Sequence, residues 1–472
     1  MNSAFEHALT LGGDARLILD GDGRNAFGWG PHPESLMPSF GSCTASGIST
    51  DAYAAAAELH ARLESGADPL LEADRLRNEL AARLDLPAGA EVIFSASGTD
   101  AHLLAARYCA TPGGLPPIAV GVEARETGSG VPAALAGRHY GHWSPLAGAV
   151  TAASPLGCVA FEKTELPLRD ALGRPLSPDE RDGRFSSAVE TALAAGRACL
   201  LVTADVSKSG LLAPAPDLAA ALLRRRAGGL KVLVDACQCR LAPQSVRAYL
   251  EAGFWVALTG SKAMTGPAFA GALLMGAADA RRLREIAPAP GFAAYSARAD
   301  WPQGWAPRAV LPHSANVGLL LRWRAALKEL EAFQALPPDS VDAFLERFSQ
   351  GVDAALAANP DFLPLETPAP RRGSFDGKSA WDRSSTIHAF GLRRRGKPLD
   401  ADGTGELLKR LKSEGFHLGQ AFRWGGPDGP LGALRLCSSM RLVRESLGPG
   451  GGGPEGALQT ARNALEAALR LS

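Results

Sequence analysis

Short apolar runs alternate with longer stretches of helical spacing through the middle of the chain. The runs are Glu91 to Phe94, Ile118 to Val122, Gly157 to Glu162, Ala198 to Val202, Lys231 to Val234, Trp255 to Leu258 and Gly271 to Met275. Their length and their Val, Ile and Leu content predict buried strands, and alternation with helices predicts an α/β domain around a mostly parallel sheet. Ahead of them, alanines and leucines at helical spacing predict helices over Asp51 to Leu63, capped at Ser49-Thr50, and over Leu70 to Leu84. A further helical stretch, Ala101 to Tyr108, follows the first strand closely.

The flanks of this region read differently. Residues 1–50 are rich in Gly and Pro with short apolar pieces such as Arg16-Leu17-Ile18-Leu19-Asp20, the composition of an arm laid over a neighbouring surface. Residues 287–313, rich in Pro, Ala and Trp, predict a long irregular connection, and irregular segments of that length are usually functional or disordered. Beyond it the pattern predicts helices over Asn316 to Phe333, Ser340 to Ala358 and Thr404 to Gly415, and strands near Ser385 to Leu392 and Ala433 to Ser438. A closing helix follows the glycine linker Gly450 to Gly453. The expected organisation is an arm (1–50), a large α/β domain (51–313) and a small α+β domain (314–472).

Composition changes this picture little. Apolar residues make up 46% and charged residues 21% of the 472, as in soluble globular proteins. Basic and acidic residues balance at 49 each, which gives no electrostatic reason to expect nucleic acid or an anionic membrane as partner. No apolar stretch approaches the roughly 18 residues of a membrane span. The start, Met1 to Asp14, has no basic region followed by an apolar one, so a cytoplasmic protein is expected. Seven cysteines in apolar segments read as buried thiols, and Cys237-Gln238-Cys239 has the wrong spacing for zinc, so no metal is expected.

Candidate chemistry concentrates at strand ends. Lys262 ends the apolar run Phe254 to Leu258 inside the turn Thr259-Gly260-Ser261-Lys262. Only nine of the 49 basic residues are lysines, so arginine is the ordinary surface cation here and an apolar-flanked lysine stands out. Asp235 ends the preceding run, with Gln238 three residues on. An amine and an acid on neighbouring strand ends match a pyridoxal 5'-phosphate (PLP) site, where the amine forms a Schiff base and the acid holds the pyridinium nitrogen. The strand-turn-helix Phe94-Ser95-Ala96-Ser97-Gly98-Thr99 puts free backbone N–H groups where a phosphate would sit. Each part has an ordinary alternative: a helix cap, a solvent-facing strand end, a surface lysine.

Taken in order, Ser97-Gly98-Thr99, Asp235-x-x-Gln238 and Ser261-Lys262 resemble the fold-type I PLP-dependent enzymes, most closely the class V aminotransferase and cysteine desulfurase-like group, over about residues 50–470. The resemblance implies a mostly parallel central sheet with a smaller C-terminal α+β domain, Lys262 as the Schiff-base lysine, Asp235 at the pyridine nitrogen and Gln238 near the phenolic oxygen. It implies Gly98, Thr99, Thr259 and Ser261 around the phosphate. It also implies that Arg435, in Leu434-Arg435-Leu436-Cys437-Ser438, clamps the substrate carboxylate, with Arg441 in reserve. Glu126 or Thr127 falls where the group stacks an aromatic on the ring, and Ser207-Lys208 falls where it often has Ser-Asn. Lys208 is the one rival for the Schiff base. The segment Gly415 to Trp424 lacks the sulfur-accepting cysteine of the desulfurases.

The expected function is therefore that of an aminotransferase acting on a small amino acid, with a lyase or a carbon–carbon bond-forming enzyme as the alternative and a non-catalytic PLP-fold protein as the second. A nicotinamide-dependent enzyme is disfavoured, since no G-x-G-x-x-G opens a helix after a strand. The resemblance implies a homodimer with shared active sites. Tyr295, Trp301 and Trp305, in the long connection, are the expected reach into the partner's pocket.

Overall fold

The computed structural model describes residues 4–34, 39–109, 115–226, 228–425 and 431–472. Its centre is a seven-stranded sheet with strand order Glu91–Ser95, Gly271–Met275, Trp255–Thr259, Leu230–Ala236, Cys199–Ala204, Ile118–Val122 and Glu162–Leu166. Gly271–Met275 pairs antiparallel with both its neighbours, and the remaining pairings are parallel. The period-two geometry of strands decides where each apolar side chain goes. Val232, Val234, Val256 and Leu258 join the core on one face, while Leu233, Trp255 and Ala257 join the core on the other. A sheet buried on both faces explains why these runs show no polar alternation.

One expected strand is displaced. The run Gly157 to Glu162 is not itself a strand, and pairing with Ile118–Val122 begins at Glu162 and runs to Leu166. This is the sheet's edge, where Glu162 and Lys163 stay exposed, so the strand carries polar residues that hide it from an apolar search. A second displacement lies at Gly419–Trp424, which pairs antiparallel with Leu431–Cys437 as an edge strand. Ile387–Arg394 and Phe362–Pro364 complete that second sheet, and Lys397–Pro398 pairs with the outer end of Ile387–Arg394.

The helix Val317–Gln334 underpins the site. Asn316 caps it by accepting from the Leu319 N–H, and Trp323 stacks on Phe94 with ring centres 5.1 Å apart and donates to the Gly271 carbonyl at 3.0 Å. A Cβ on Gly266 would stand 2.9 Å from Cα of Ala326 on this helix, so the loop after Lys262 requires glycine to lie so close.

The first fifty residues are fastened to the rest of the chain. Arg322, fully buried, donates to the carbonyls of Leu9, Leu11, Gly12 and Phe269. Phe40 bonds through its backbone to His417 and Cys437, and Ser42 Oγ donates to the Ser438 carbonyl at 2.8 Å. Trp29 stacks on His417 at 4.1 Å.

The long connection turns inward, against expectation. Trp301 and Trp305 are buried against Tyr108 of the same chain, with ring centres 5.6 and 5.9 Å away, and Tyr295 is buried beside Tyr140. Large aromatic rings bury best in the nearest apolar face, and here that face is the Gly98–Cys109 helix, not a partner subunit. Among the described residues, no helix is long and apolar enough to cross a membrane.

Candidate active site

The carboxyl ends of the parallel strands open onto a cavity of about 190 Å³, the place where open α/β sheets bind ligands. Every site residue singled out from the sequence, apart from the reserve Arg441, lines it. Ser97, Gly98 and Thr99 arrive from the turn after Glu91–Ser95, and Glu126 and Thr127 from the loop after Ile118–Val122. Ser207 and Lys208 follow the Cys199–Ala204 strand, Asp235 and Gln238 stand at the end of Leu230–Ala236, and Thr259, Ser261 and Lys262 end the next strand. Arg435 enters from Leu431–Cys437 of the second sheet. Arg441 has another task, tying Glu329 to the carbonyls of Gly47 and Thr265.

Asp235 stands on the floor, in register with Ala204 and Ala257 of the flanking strands. Burial pushes its carboxyl up, but His102, Cys237 and Lys262 outweigh burial and hold it below the usual carboxylate range. Its Oδ1 accepts from the Cys237 N–H at 3.2 Å, and His102 Nε2 lies 3.5 Å from Oδ2 without a hydrogen bond. His102 is itself fixed by a 2.7 Å bond between Nδ1 and the Gly98 carbonyl, one helical turn earlier. The result is a half-buried anion that lines the cavity.

Lys262 has no hydrogen bond or ion pair from its amine to any of the described residues. Only its carbonyl is engaged, accepting from the Thr265 N–H at 2.9 Å. Gln238 donates through Nε2 to the Cys43 carbonyl at 3.3 Å, leaving the buried Oε1 without a partner among the described residues.

The hydroxyls around the expected phosphate site divide into two sets. Ser97 Oγ donates to Asp100 and Thr259 Oγ1 to the Cys237 carbonyl at 2.7 Å, so both are spent inside the protein. Thr99 and Ser261 make no side-chain hydrogen bond among the described residues. Gly98 opens the helix Gly98–Cys109, and a Cβ there would collide with Cys237 Sγ. Asp100, buried in the first helical turn, is pushed up to about 6 by burial, against hydrogen bonds from Ser97 and Tyr140.

Glu126 is engaged within the chain. Its carboxylate accepts from Ser207 Oγ, Ser209 Oγ and the Ser209 N–H at 2.7, 2.7 and 3.1 Å, with Arg169 3.7 Å away. These bonds hold the loop carrying Lys208, in which Val206 has φ +63°, a left-handed conformation rare for a β-branched residue and typical of strain kept at functional sites. Lys208 is held at about 8, chiefly by burial and then by the charges of Arg435 and Lys262, with Glu126 opposing. Arg435 donates to the Gln420 carbonyl at 2.7 Å and to Thr44 Oγ1 at 3.3 Å, and its guanidinium sits 5.3 Å from the Phe422 ring centre. No carboxylate among the described residues pairs with it.

Several lining residues escaped the sequence reading. His102 was findable, four residues after Gly98 on the helix face that meets Asp235. Arg16, Phe27, Cys43 and Thr44 come from the arm and carry no local signal. Cys43 places a thiol at the cavity although the segment Gly415 to Trp424 has none. Burial opposes its ionisation, but Cys437, Arg435 and Arg240 hold it below the ordinary thiol range. No group of three or more metal-binding side chains occurs among the described residues.

The arrangement fits PLP. A half-buried carboxylate kept charged suits a protonated ring nitrogen, an unengaged lysine lines the same cavity, and a helix N-terminus with two free hydroxyls suits a phosphate.

No family model matches the sequence, and no characterised protein matches it in sequence. Solved structures do match. A cysteine desulfurase from Escherichia coli superposes with a TM-score of 0.56 at 15% identity, over 91% of this chain and 94% of that one. The glutamate decarboxylase domain of a diaminobutyrate-pyruvate transaminase and L-2,4-diaminobutyrate decarboxylase from Vibrio parahaemolyticus gives 0.54 at 13% identity, over 91% and 81%. An Oryza sativa TDC solved with PLP and tryptamine gives 0.52 at 15% identity, over 92% and 83%. The chain has the fold of the fold-type I PLP-dependent enzymes.

Proposed function

We propose that this chain is a PLP-dependent enzyme acting on the α-amine of a small amino acid, with transamination of the class V type as its reaction. The observation that carries the reading is the pair formed by Lys262 and Asp235, an unengaged amine and a charge-retaining carboxylate facing one cavity from neighbouring strand ends. Lys262 would bind the cofactor covalently, Asp235 would pair with its ring nitrogen, and the start of the Gly98–Cys109 helix, with Thr99 and Ser261, would hold its phosphate. Bound there, PLP supplies an electron sink for charge developing at the substrate Cα.

The remaining roles belong to the protein. Arg435, buried and without a carboxylate partner among the described residues, would bind the substrate carboxylate by a charge-assisted hydrogen bond. Held there, the substrate would be oriented with its Cα toward Lys262, which would hold or move the proton at Cα. Addition of PLP to the purified protein tests the reading: a visible band that shifts with an amino acid and a 2-oxo acid supports it, and absence of the band rejects it. A homodimer with shared sites is part of the proposal, and sedimentation as an active monomer rejects that part.

Cys43 favours a second reading, a sulfur-removing lyase. Its thiol lines the cavity and is held below the ordinary range by Cys437 and two guanidinium groups. Sulfide release from cysteine in the presence of an added thiol reductant, lost in Cys43→Ala, would favour it over transamination.

A further inference from the structure

The cavity holds more positive charge than PLP chemistry on a simple amino acid uses. Four cations line it, Arg16, Lys208, Lys262 and Arg435, against the carboxylates of Asp235 and Glu126. Arg16 is answered by Asp14 through bonds of 2.7 to 3.1 Å. Glu126 is nearest in charge to Lys208, yet its two oxygens already accept three hydrogen bonds from Ser207 and Ser209. Lys208 itself has no hydrogen bond or ion pair from its amine among the described residues. Its backbone carbonyl lies 3.5 Å from Arg435 Nη1, so the two cations belong to one wall of the cavity.

The half-buried Lys208 and the buried Arg435 repel each other as like charges, and a wall of this kind is stable when an anion bridges it. With Lys262 committed to the cofactor and Arg435 to the α-carboxylate, Lys208 is left for a further negative group. We propose that Lys208 and Arg435 form a two-anion subsite, so that the substrate is an amino acid with a second carboxylate on its side chain. The proposal rests on the PLP reading above. Lowering of the Lys208 amine toward neutrality by burial and by Arg435 and Lys262 agrees with it, since such an amine gains its proton as the second carboxylate arrives.

The test is an equilibrium titration of the visible band of the PLP-loaded protein with two isosteric pairs, aspartate against asparagine and glutamate against glutamine. The expected result is binding of the better acid about tenfold to a hundredfold tighter than its amide, the range of a charge-assisted hydrogen bond. That ratio collapses toward one in Lys208→Met and returns in Lys208→Arg, while cofactor affinity stays at the wild-type value. Equal binding of acid and amide, or a ratio that survives in Lys208→Met, overturns the proposal. So does a loss of cofactor affinity in Lys208→Met, which would assign Lys208 to the phosphate. A band that none of the four amino acids shifts also overturns it and leaves the PLP reading standing, whereas no band at all brings down both.

Discussion

Two clusters of charge in the molecule are built in opposite ways. In the first, Arg372 holds Asp205 with two bonds, Nη2 to Oδ1 at 2.6 Å and Nε to Oδ2 at 2.9 Å, and both side chains are fully buried. Tyr249 adds a third bond to Asp205 at 2.8 Å, while Arg372 also reaches the carbonyls of Arg240 and Asp382. Every charge there has its answer. In the second, Lys208, Lys262 and Arg435 line one cavity with no carboxylate paired to any of them among the described residues. A cluster satisfied within the chain holds the structure together, and one left unsatisfied is waiting for something from outside it.

Substitutions should separate the two clusters. The largest functional effect is expected at Lys262: Lys262→Ala removes turnover and the visible band and leaves the thermal midpoint of the cofactor-free protein unchanged. The largest stability effect is expected at Arg372. Arg372→Met strands a buried Asp205 carboxylate and costs about 3–5 kcal/mol in denaturant unfolding. The double variant with Asp205→Leu recovers much of that loss, because an apolar pair of similar volume often replaces a buried ion pair at little cost. Neither result is expected if the two clusters play the same role.

Arg435→Met should weaken amino-acid binding by about tenfold to a hundredfold, read as a rise in KM larger than any fall in kcat. Lys208 gives a smaller, pH-dependent signature. Its folded-state value of about 8 lies below the ordinary lysine range, facing Arg435, Lys262 and Arg16 as cations and Glu126 as the anion. Between about 8 and the unfolded lysine value of about 10.4, the unfolded chain binds the extra proton, so stability rises with pH across that window. Denaturant midpoints measured from pH 7 to pH 10 should show this rise, and Lys208→Met should flatten it. In Arg372→Met the rise should persist.

Legibility of these clusters from the sequence differed for a physical reason. Strand-end residues are marked by local pattern, because an apolar run that stops at Asp235 or just short of Lys262 announces a strand end pointing at a crevice. The core strands Leu230–Ala236 and Trp255–Thr259 were visible for the same reason, being apolar on both faces. Edge strands were not, since Glu162–Leu166 and Gly419–Trp424 carry polar residues toward solvent. Asp205 and Arg372 lie 167 positions apart, and no spacing along the chain marks such a pair. The arm residues at the cavity escaped similarly, placed by contacts such as those of Phe40 with His417 and Cys437. The inward turn of Trp301 and Trp305 was legible only as aromatic content, since the face that buries them belongs to Tyr108, almost two hundred positions earlier.

The central claim is that the unsatisfied cluster is a cofactor site centred on Lys262 and not on Lys208. Borohydride reduction of the PLP-loaded protein, followed by peptide mass mapping, tests this most directly. The account predicts a pyridoxyl group fixed on Lys262 alone. Label on Lys208, or on surface lysines without preference, would contradict it.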